Sequence, residues 1–179
     1  MQEQLLTRER ELERLAYYDE LTGLPNRRSV LRQLEALLSR GRRHGHALAV
    51  LMVDADHFKA LNDRHGHAAG DAALRALAER LGERLRAEDV IGRFGGEEFV
   101  IGLPDAEAAG AAAVAEDVRA AVAERPMTID GHALTLTVSV GWAPWHDESL
   151  EQLLALADDA LYEAKAAGRN CVRPPAPTG

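Results

Sequence analysis

Residues 90–101, VIGRFGGEEFVI, combine two short apolar runs with a central pair of glycines and a pair of glutamates. Apolar runs separated by Gly-Gly predict two antiparallel strands joined by a tight turn. The segment Gly95-Gly96-Glu97-Glu98 would then expose bare backbone and two carboxylates at the hairpin tip. Such a tip suits a phosphorylated ligand with a divalent cation, but the same pattern also fits a surface hairpin with solvated glutamates.

A second acidic cluster favours the ligand-binding interpretation. Residues 47–53 form a continuous apolar run, typical of a buried strand, and Asp54-Ala55-Asp56 follow directly. If this strand and the hairpin are neighbours in one sheet, Asp54 and Glu97 converge. Two carboxylates, a backbone carbonyl and phosphate oxygens are ligands that Mg²⁺ takes in proteins. Taken singly, Asp54 and Asp56 would instead cap the turn after the strand.

The composition excludes several classes of protein. The 179 residues carry a net charge of −8, which argues against nucleic acid as a partner. An anionic ligand would need a metal ion or local Lys and Arg to offset that charge. A single cysteine excludes an internal disulfide framework and fits a reducing compartment. Seven histidines are scattered, and His65 and His67 lack the partners of a zinc site.

The chain has no apolar run long enough to cross a membrane and no signal-peptide pattern at its start. We therefore expect a cytoplasmic protein without direct membrane contact, or the cytoplasmic part of a membrane-anchored protein. Residues 1–16 predict a charged helix with Leu5, Leu12 and Leu15 at near-heptad spacing. It is either a solvated helix or the end of a stalk from an upstream sensor domain. The tail, residues 174–179, is expected to be disordered.

Helical and strand patterns alternate between these ends. Helices are predicted at residues 27–39, 57–63, 66–85 and 104–124, and a last helix begins at Ser149 with its apolar face from Leu150 to Leu161. A basic loop is expected at 41–46, a half-buried strand at 134–142 and a short edge strand at 170–172. Because a tight hairpin forces an antiparallel pair among these elements, the sequence predicts one α+β (mixed α/β) domain.

Further polar residues complete a candidate nucleotide site. Phe58 and Lys59 lie in a tight turn whose amides suit phosphate. Asn62 and Asp71 together match a guanine edge, with Asp71 accepting from N1 and N2, although Asp71 alone is better explained as a helix N-cap. Near the end of the last helix, residues 165 and 169 are Lys and Arg on one helix face. They form either a cationic clamp for a triphosphate or a solvated helix end.

These segments together resemble the GGDEF family, the catalytic domains of diguanylate cyclases. The resemblance covers roughly residues 17–173 and includes the family signature in its GGEEF form. The matching blocks, in order, are DELTGLPNRR at 19–28, VDADHFK at 53–59 with Asn62-Asp63, Gly66-His67 and Gly70-Asp71, RFGGEEF at 93–99, TVSVG at 137–141, and DALYEAK at 159–165 with Gly168-Arg169-Asn170. One departure is Ala55, where a larger aliphatic residue is common.

The resemblance implies an enzyme that condenses two GTP into cyclic di-GMP and two pyrophosphates. It also implies a central, mainly antiparallel five-stranded sheet flanked by helices, similar to class III nucleotide cyclases and polymerase palms. Mg²⁺, with Mn²⁺ as an alternative, would be the cofactor. Each subunit would hold one GTP, so a homodimer is required at least transiently.

The resemblance also implies individual roles. Asp54, the Ala55 carbonyl and Glu97 would hold the metal. Glu98 is a candidate helper in deprotonating the 3′-hydroxyl, with the identity of the base left open. Contacts with the substrate are implied for Phe58, Lys59, Asn62, Asp71, Gly95, Gly96, Lys165 and Arg169.

A separate motif, Arg86-Ala87-Glu88-Asp89, lies just ahead of the signature. Its offset resembles that of the family's inhibitory RxxD site, where the cyclic dinucleotide product binds and blocks the enzyme. The alternative is an i,i+3 ion pair at a helix end, contributing little.

Two other functions stay open at this point. A degenerate member of the family would bind GTP or cyclic di-GMP without catalysis, although such domains usually lose signature or metal residues that this chain keeps. A second alternative is an enzyme that makes another cyclic nucleotide. Asp71 favours guanine and argues against a mixed adenine-guanine product.

Overall fold

The structure, a computed structural model, describes residues 1–177; residues 178–179, the end of the predicted disordered tail, lie outside the described residues. The helices are α1 Gln2–Tyr17, α2 Arg27–His44, α3 Phe58–His65, α4 His67–Glu83, α5 Ala108–Ala123 and α6 Leu150–Ala166. The strands are β1 Leu48–Ala55, β2 Val90–Arg93, β3 Glu98–Pro104, β4 Met127–Ile129, β5 His132–Leu134, β6 Val138–Pro144 and β7 Val172–Arg173. None of the described helices is long and apolar enough to span a bilayer.

A five-stranded sheet in the order β2-β3-β1-β6-β7 forms the centre of the fold. All neighbours pair antiparallel except β6 and β7, which are parallel. This confirms the predicted mixed fold and its mainly antiparallel sheet. In the β1–β3 register Asp54 lies opposite Glu98, so the hairpin tip lies beside the end of β1.

Helices cover both faces of the sheet, which explains why every residue of β1 is buried. Alternate side chains along a strand point to opposite faces. Leu51 and Val53 pack in one cluster with residues of α4 and α5, whereas Val50 and Met52 pack in another with residues of α2 and α6. A continuous apolar run is the pattern that such two-sided burial requires.

The end of α6 is fixed close to the sheet. A side chain at Gly141 of β6 would collide with the α6 backbone at Ala157 and Leu161, so strand and helix approach at a distance that only glycine allows. At its start, Ser149 accepts a hydrogen bond from the Gln152 N–H and the Gln152 side chain accepts one from the Ser149 N–H. This placement sets the position of Lys165 in the last turn of α6.

Besides the helix predicted from residue 104, which begins at Ala108 because β3 continues through Pro104, three local predictions were wrong. The basic segment 41–46 is not a loop, because α2 continues to His44 and ends at the left-handed Gly45. Gly41 is buried there, and an added Cβ would lie 2.8 Å from the Trp145 ring. Packing against Trp145 therefore extends the helix through a basic stretch. The hairpin connection is also wider than a tight Gly-Gly turn: residues 94–97 join β2 to β3, and neither Gly95 nor Gly96 has a positive φ.

The third error concerns residues 127–137. The predicted strand 134–142 is divided: β4 and β5 form a separate hairpin, and β6 begins at Val138. Asp130 and Gly131 make the turn with φ values of 49° and 77°, the left-handed pair that an Asp-Gly hairpin turn uses. Met127 and Ile129 are buried and attach this hairpin to the core.

Candidate functional site

A cavity of about 450 Å³ lies where β1 ends. Its walls come from the end of β1, the start of α3, the hairpin tip and the end of α6. The sequence-predicted residues that line it are Asp54, Ala55, Phe58, Lys59, Glu97, Lys165 and Arg169. The convergence of Asp54 and Glu97 predicted from strand order is therefore present.

The hairpin tip is tied to β1 through its backbone. The Ala55 N–H donates to the Glu97 carbonyl at 3.2 Å, one residue beyond the Asp54–Glu98 pair of the ladder. Because this bond fixes the backbone of Glu97 next to Ala55, the Glu97 carboxyl group is held near that of Asp54. Two elements 40 residues apart in sequence thus form one acidic cluster.

Burial dominates the electrostatics of this cluster. The Asp54 side chain is 5% exposed, and burial raises its pKa to about 6 despite the Lys165 ammonium 3.1 Å from its Oδ2. Burial also raises the pKa of Glu97, against the attraction of Lys165. Two carboxyl groups that share one ammonium lack the positive charge needed to ionise fully.

This donor set fits a divalent metal. Asp54 already pairs with one cation, the ammonium group of Lys165. The carboxylate oxygens of Asp54 and Glu97 are hard ligands of the type that Mg²⁺ takes. Within residues 1–177, no three His, Cys, Asp or Glu side chains converge as a metal-binding group. A metal held by Asp54 and Glu97 would therefore complete its coordination with a backbone carbonyl, such as that of Ala55, and with ligand or water oxygens.

Asn62 has an unusual environment. Its Oδ1 is buried and has no hydrogen-bond partner among residues 1–177, and a Cβ at Gly70 would collide with that oxygen. A buried acceptor without a donor costs stability unless a ligand supplies one. Asp71 follows Gly70 and is exposed in the second turn of α4. The N-cap of α4 is Gly66, so the alternative of Asp71 as a helix cap was wrong. Neither Asn62 nor Asp71 lines the 450 Å³ cavity.

The two signature glutamates face different cavities. Glu97 lines the cavity of Asp54, whereas Glu98 begins β3 and lines a larger one of about 750 Å³ between α2 and α6. Arg27 and Phe94 also line that larger cavity. The sequence pattern placed Glu97 and Glu98 together at one exposed hairpin tip, so their separation into two cavities was not predicted.

Two residues without an assigned role support the hairpin. The Arg93 guanidinium donates to the Gly96 carbonyl at 2.7 Å and to the Asp19 carboxylate at 3.1 Å. Burial opposes charge on Asp19, but hydrogen bonds from Thr22 and the contact with Arg93 outweigh it and lower the pKa of Asp19. The opening segment DELTGLPNRR is therefore joined to the tip of the signature hairpin. The separate sequence blocks were recognised, but spacing alone did not indicate this contact.

The Arg86–Asp89 pair lies before β2. The Asp89 side chain is 2% exposed and accepts from the Arg86 N–H at 2.7 Å and from its guanidinium at 3.2 Å. The guanidinium is half-exposed and also donates to the Pro104 carbonyl at 2.9 Å. The i,i+3 ion pair is thus present, and Nη1 of the same half-exposed guanidinium also pairs with Glu88 at 3.3 Å.

Sequence comparisons match this chain to known proteins. A family model described as "Diguanylate cyclase, GGDEF domain" matches residues 16–171. The response regulator PleD of Caulobacter vibrioides is 43% identical over 162 residues, which cover 88% of this chain and 36% of PleD. Diguanylate cyclase DgcP of Pseudomonas aeruginosa is 44% identical over 156 residues, or 87% of this chain and 23% of DgcP. The chain spans well under half the length of these curated relatives.

Solved structures show the same fold. The coiled coil and GGDEF domain of DgcB from Caulobacter crescentus, in complex with c-di-GMP, has a TM-score of 0.89 at 31% identity, covering 96% of this chain and 92% of that one. Diguanylate cyclase SiaD from Pseudomonas aeruginosa, in complex with its activator SiaC, has a TM-score of 0.86 at 37% identity, covering 97% and 67%.

Proposed function

The chain belongs to the GGDEF family of diguanylate cyclase domains, and we propose that it condenses two molecules of GTP into cyclic di-GMP with release of two pyrophosphates. The observation that carries the proposal is the cluster of buried Asp54 and half-buried Glu97, which holds one ammonium in a cavity also lined by Lys59 and Arg169. Incomplete charge compensation in a cavity with further cations suits a metal-bound triphosphate.

Asp54, the Ala55 carbonyl and Glu97 are the proposed ligands of Mg²⁺, with Mn²⁺ as an alternative. The metal supplies positive charge that stabilises the developing charge on the reacting phosphate. Lys165 contacts Asp54 and is within reach of a phosphate bound beside it.

The proposed phosphate contacts come from five further positions. Arg169 and Lys59 add cationic groups to the cavity. The backbone N–H groups of Phe58 and Lys59 lie in the first turn of α3, where a helix can donate to phosphate. Gly95 and Gly96 carry no side chain at the hairpin tip, so a ligand can approach the backbone there.

Guanine is the proposed base. The orphan Asn62 Oδ1 needs a donor, and the guanine edge carries N1 and N2 hydrogens. Asp71 is on α4 next to Gly70 and, as a carboxylate, can only accept from such an edge. ATP lacks the matching donors, which favours guanine over adenine.

The reaction needs two subunits, because the 3′-hydroxyl of each GTP attacks the α-phosphate of the other. A homodimer, at least transient, is therefore part of the proposal. Leu5, Leu12 and Leu15 of α1 are 47–66% exposed, and the similar DgcB structure includes a coiled coil. This supports residues 1–16 as the end of a stalk that precedes the catalytic domain of residues 17–173. GTP as the substrate and a cytoplasmic location are further parts of the proposal.

Glu98 is the proposed helper in deprotonating the 3′-hydroxyl, and which glutamate acts as the base stays open. Because Glu98 lines a different cavity from Glu97, it would act on a hydroxyl approaching from the side of α2 and α6. The half-exposed Arg86, with Asp89, is the proposed binding site for inhibitory cyclic di-GMP.

Product analysis tests the proposal. Incubation of the protein with GTP and Mg²⁺ should give cyclic di-GMP and two equivalents of pyrophosphate, resolved by chromatography and mass spectrometry. GTP binding by calorimetry without any product would favour a degenerate binding module instead. In a second incubation with equimolar ATP and GTP, a cyclic dinucleotide that contains adenine would show that the guanine assignment of Asn62 and Asp71 is wrong.

A further inference from the structure

The segment that connects α6 to β7 has a strained backbone. Arg169 and Asn170 adopt φ values of 66° and 46°, in the left-handed region that residues other than glycine rarely occupy. Two such residues in succession persist only where surrounding contacts hold them. Arg169 lines the candidate site, so the contacts that hold this segment also set the direction of its side chain.

Asp56 holds Asn170 through the backbone. Its carboxylate is buried and accepts from the Asn170 N–H at 3.0 Å and from the Thr137 hydroxyl at 2.7 Å, both on Oδ2. Oδ1 accepts from the Ser139 hydroxyl at 2.6 Å. With both oxygens engaged by neutral donors, Asp56 serves as an anchor for the chain rather than as a metal ligand.

Arg119 holds Asn170 through its side chain. From α5, its Nη1 donates to the Asn170 Oδ1 at 2.7 Å. Glu116, one turn earlier, accepts from Nε and Nη2 of the same guanidinium at 2.9 and 2.6 Å. Because Glu116 holds the Nε–Nη2 edge of the guanidinium through two hydrogen bonds, Nη1 of Arg119 is a well-oriented donor to Asn170. Arg119 does not line the 450 Å³ cavity.

We propose that Asp56 and Arg119 are positioning residues that clamp Asn170 and thereby aim Arg169 at the bound triphosphate. The inference rests on the proposed function, in which Arg169 contacts phosphate. It adds a residue of α5 to the determinants of substrate affinity. Loss of either clamp contact should release the left-handed backbone, so Arg169 spends less time in the orientation that binds phosphate.

Arg119→Ala is the main test, because it leaves Asp56 and the cavity walls intact. We expect its KM for GTP to rise about three- to tenfold with a much smaller change in kcat, since a ground-state phosphate contact is weakened. Arg125→Ala is the matched control: Arg125 pairs with Glu83 across 3.4 Å on the surface and does not contact Asn170. Equal KM values for the two variants would overturn the role of Arg119.

Coupling to Arg169 distinguishes positioning from general destabilisation. In an Arg169→Ala background, Arg119→Ala should cause no further rise in KM, because the side chain that it aims is gone. An additive rise would contradict the clamp.

Asp56 is tested by comparing its Ala and Asn variants. Asp56→Ala loses all three accepted bonds and should raise KM. Asp56→Asn keeps an oxygen for the Asn170 N–H and Thr137, and its amide can donate to Ser139, so it should recover most of that loss. If the Asn variant behaves like the Ala variant, the charge of Asp56 matters rather than its hydrogen bonds, and the proposal fails for this residue.

Amide hydrogen exchange separates failure of the clamp from failure of the proposed function. The Asn170 N–H should be protected in the unaltered protein and exchange about tenfold faster in Arg119→Ala and Asp56→Ala, without GTP present. Unchanged exchange in both variants would refute the clamp even if the protein makes cyclic di-GMP. Faster exchange in a protein without GTP turnover would support the clamp and reject the cyclase proposal.

Discussion

Two ion pairs of equal length lie near the signature hairpin, yet their carboxylates have opposite electrostatic character. Asp54 is 3.1 Å from Lys165 and its pKa is raised, whereas Asp19 is 3.1 Å from Arg93 and its pKa is lowered. The two carboxylates differ in how far neighbouring groups balance their negative charge. Asp19 receives two hydrogen bonds from Thr22 besides the guanidinium, while Asp54 is more deeply buried and near the like charge of Glu97.

Two ion pairs next to the same hairpin can thus be distinguished, one as a structural support and the other as a binding site. A carboxylate whose charge is fully balanced by protein donors has little to gain from a ligand. A buried carboxylate with too little positive charge gains from a bound cation, and that gain is available for binding. By this criterion we propose the Asp54–Glu97 cluster as the binding site and the Asp19–Arg93 pair as its support.

Glu97→Gln should give the largest effect. Removing one of two charged ligands should lower the rate of cyclic di-GMP formation by at least about 100-fold while GTP binding weakens less. Turnover measured at saturating GTP and Mg²⁺, with calorimetric GTP affinity alongside, checks this. Glu83→Gln, on the surface near Arg125, is the control. Near-normal turnover in Glu97→Gln would remove Glu97 from the metal site.

Asp54→Asn and Asp19→Asn should change stability in opposite directions in metal-free protein. The raised pKa of Asp54 means that the folded state binds its proton more tightly, so its contribution to stability falls as pH rises from about 4 to about 6. Neutralising it should raise the free energy of unfolding at pH 8 by about 1–3 kcal/mol.

Asp19→Asn should instead lower the free energy of unfolding by about 1–3 kcal/mol, because charged hydrogen bonds are lost. The lowered pKa of Asp19 means that its contribution is present above its unfolded pKa and lost as pH falls through the lower folded value. Urea unfolding with a chelator at pH 5 and pH 8 measures both variants. If both substitutions changed the free energy of unfolding in the same direction, the contrast between the two ion pairs would be wrong.

Arg86→Ala should give the smallest effect. It tests whether a carboxylate whose charge is balanced by protein donors can still belong to a ligand-binding site. Asp89 is well compensated, like Asp19, yet the family resemblance assigns this pair to product binding. We expect the initial rate to be unchanged and the cyclic di-GMP concentration needed for inhibition to rise about tenfold or more. Progress curves with added cyclic di-GMP provide the measurement. Equal slowing of both proteins would make the pair purely structural.

Much of the site was predictable from sequence because it depends on local pattern. An apolar run ending in Asp54 and a hairpin tip carrying Glu97 predicted their convergence, which the β1–β3 register produces. The separation of Glu97 from Glu98 follows from strand alternation but was missed, since both were placed in the turn. The Asp130-Gly131 turn was visible in the sequence and was also missed.

Other features depend on contacts that spacing does not encode. The hydrogen bond between Asp56 and Asn170 joins residues 114 positions apart. The helical state of residues 41–44 depends on Trp145, more than 100 positions later in the sequence. Neither contact has a local signature, so only the folded chain identifies them.

Titration of Asp54 and Asp19 by carboxyl-carbon NMR is the most direct test that Asp54, and not Asp19, belongs to the metal–GTP site. In metal-free protein, Asp54 should titrate with a midpoint near 6 and Asp19 below its usual value of 3.8. Adding Mg²⁺ with a non-hydrolysable GTP analogue should lower the Asp54 midpoint and leave that of Asp19 unchanged. An Asp54 midpoint at or below that of Asp19, or one that does not respond to the metal and nucleotide, would contradict the assignment of the Asp54–Glu97 cluster as the metal–GTP site.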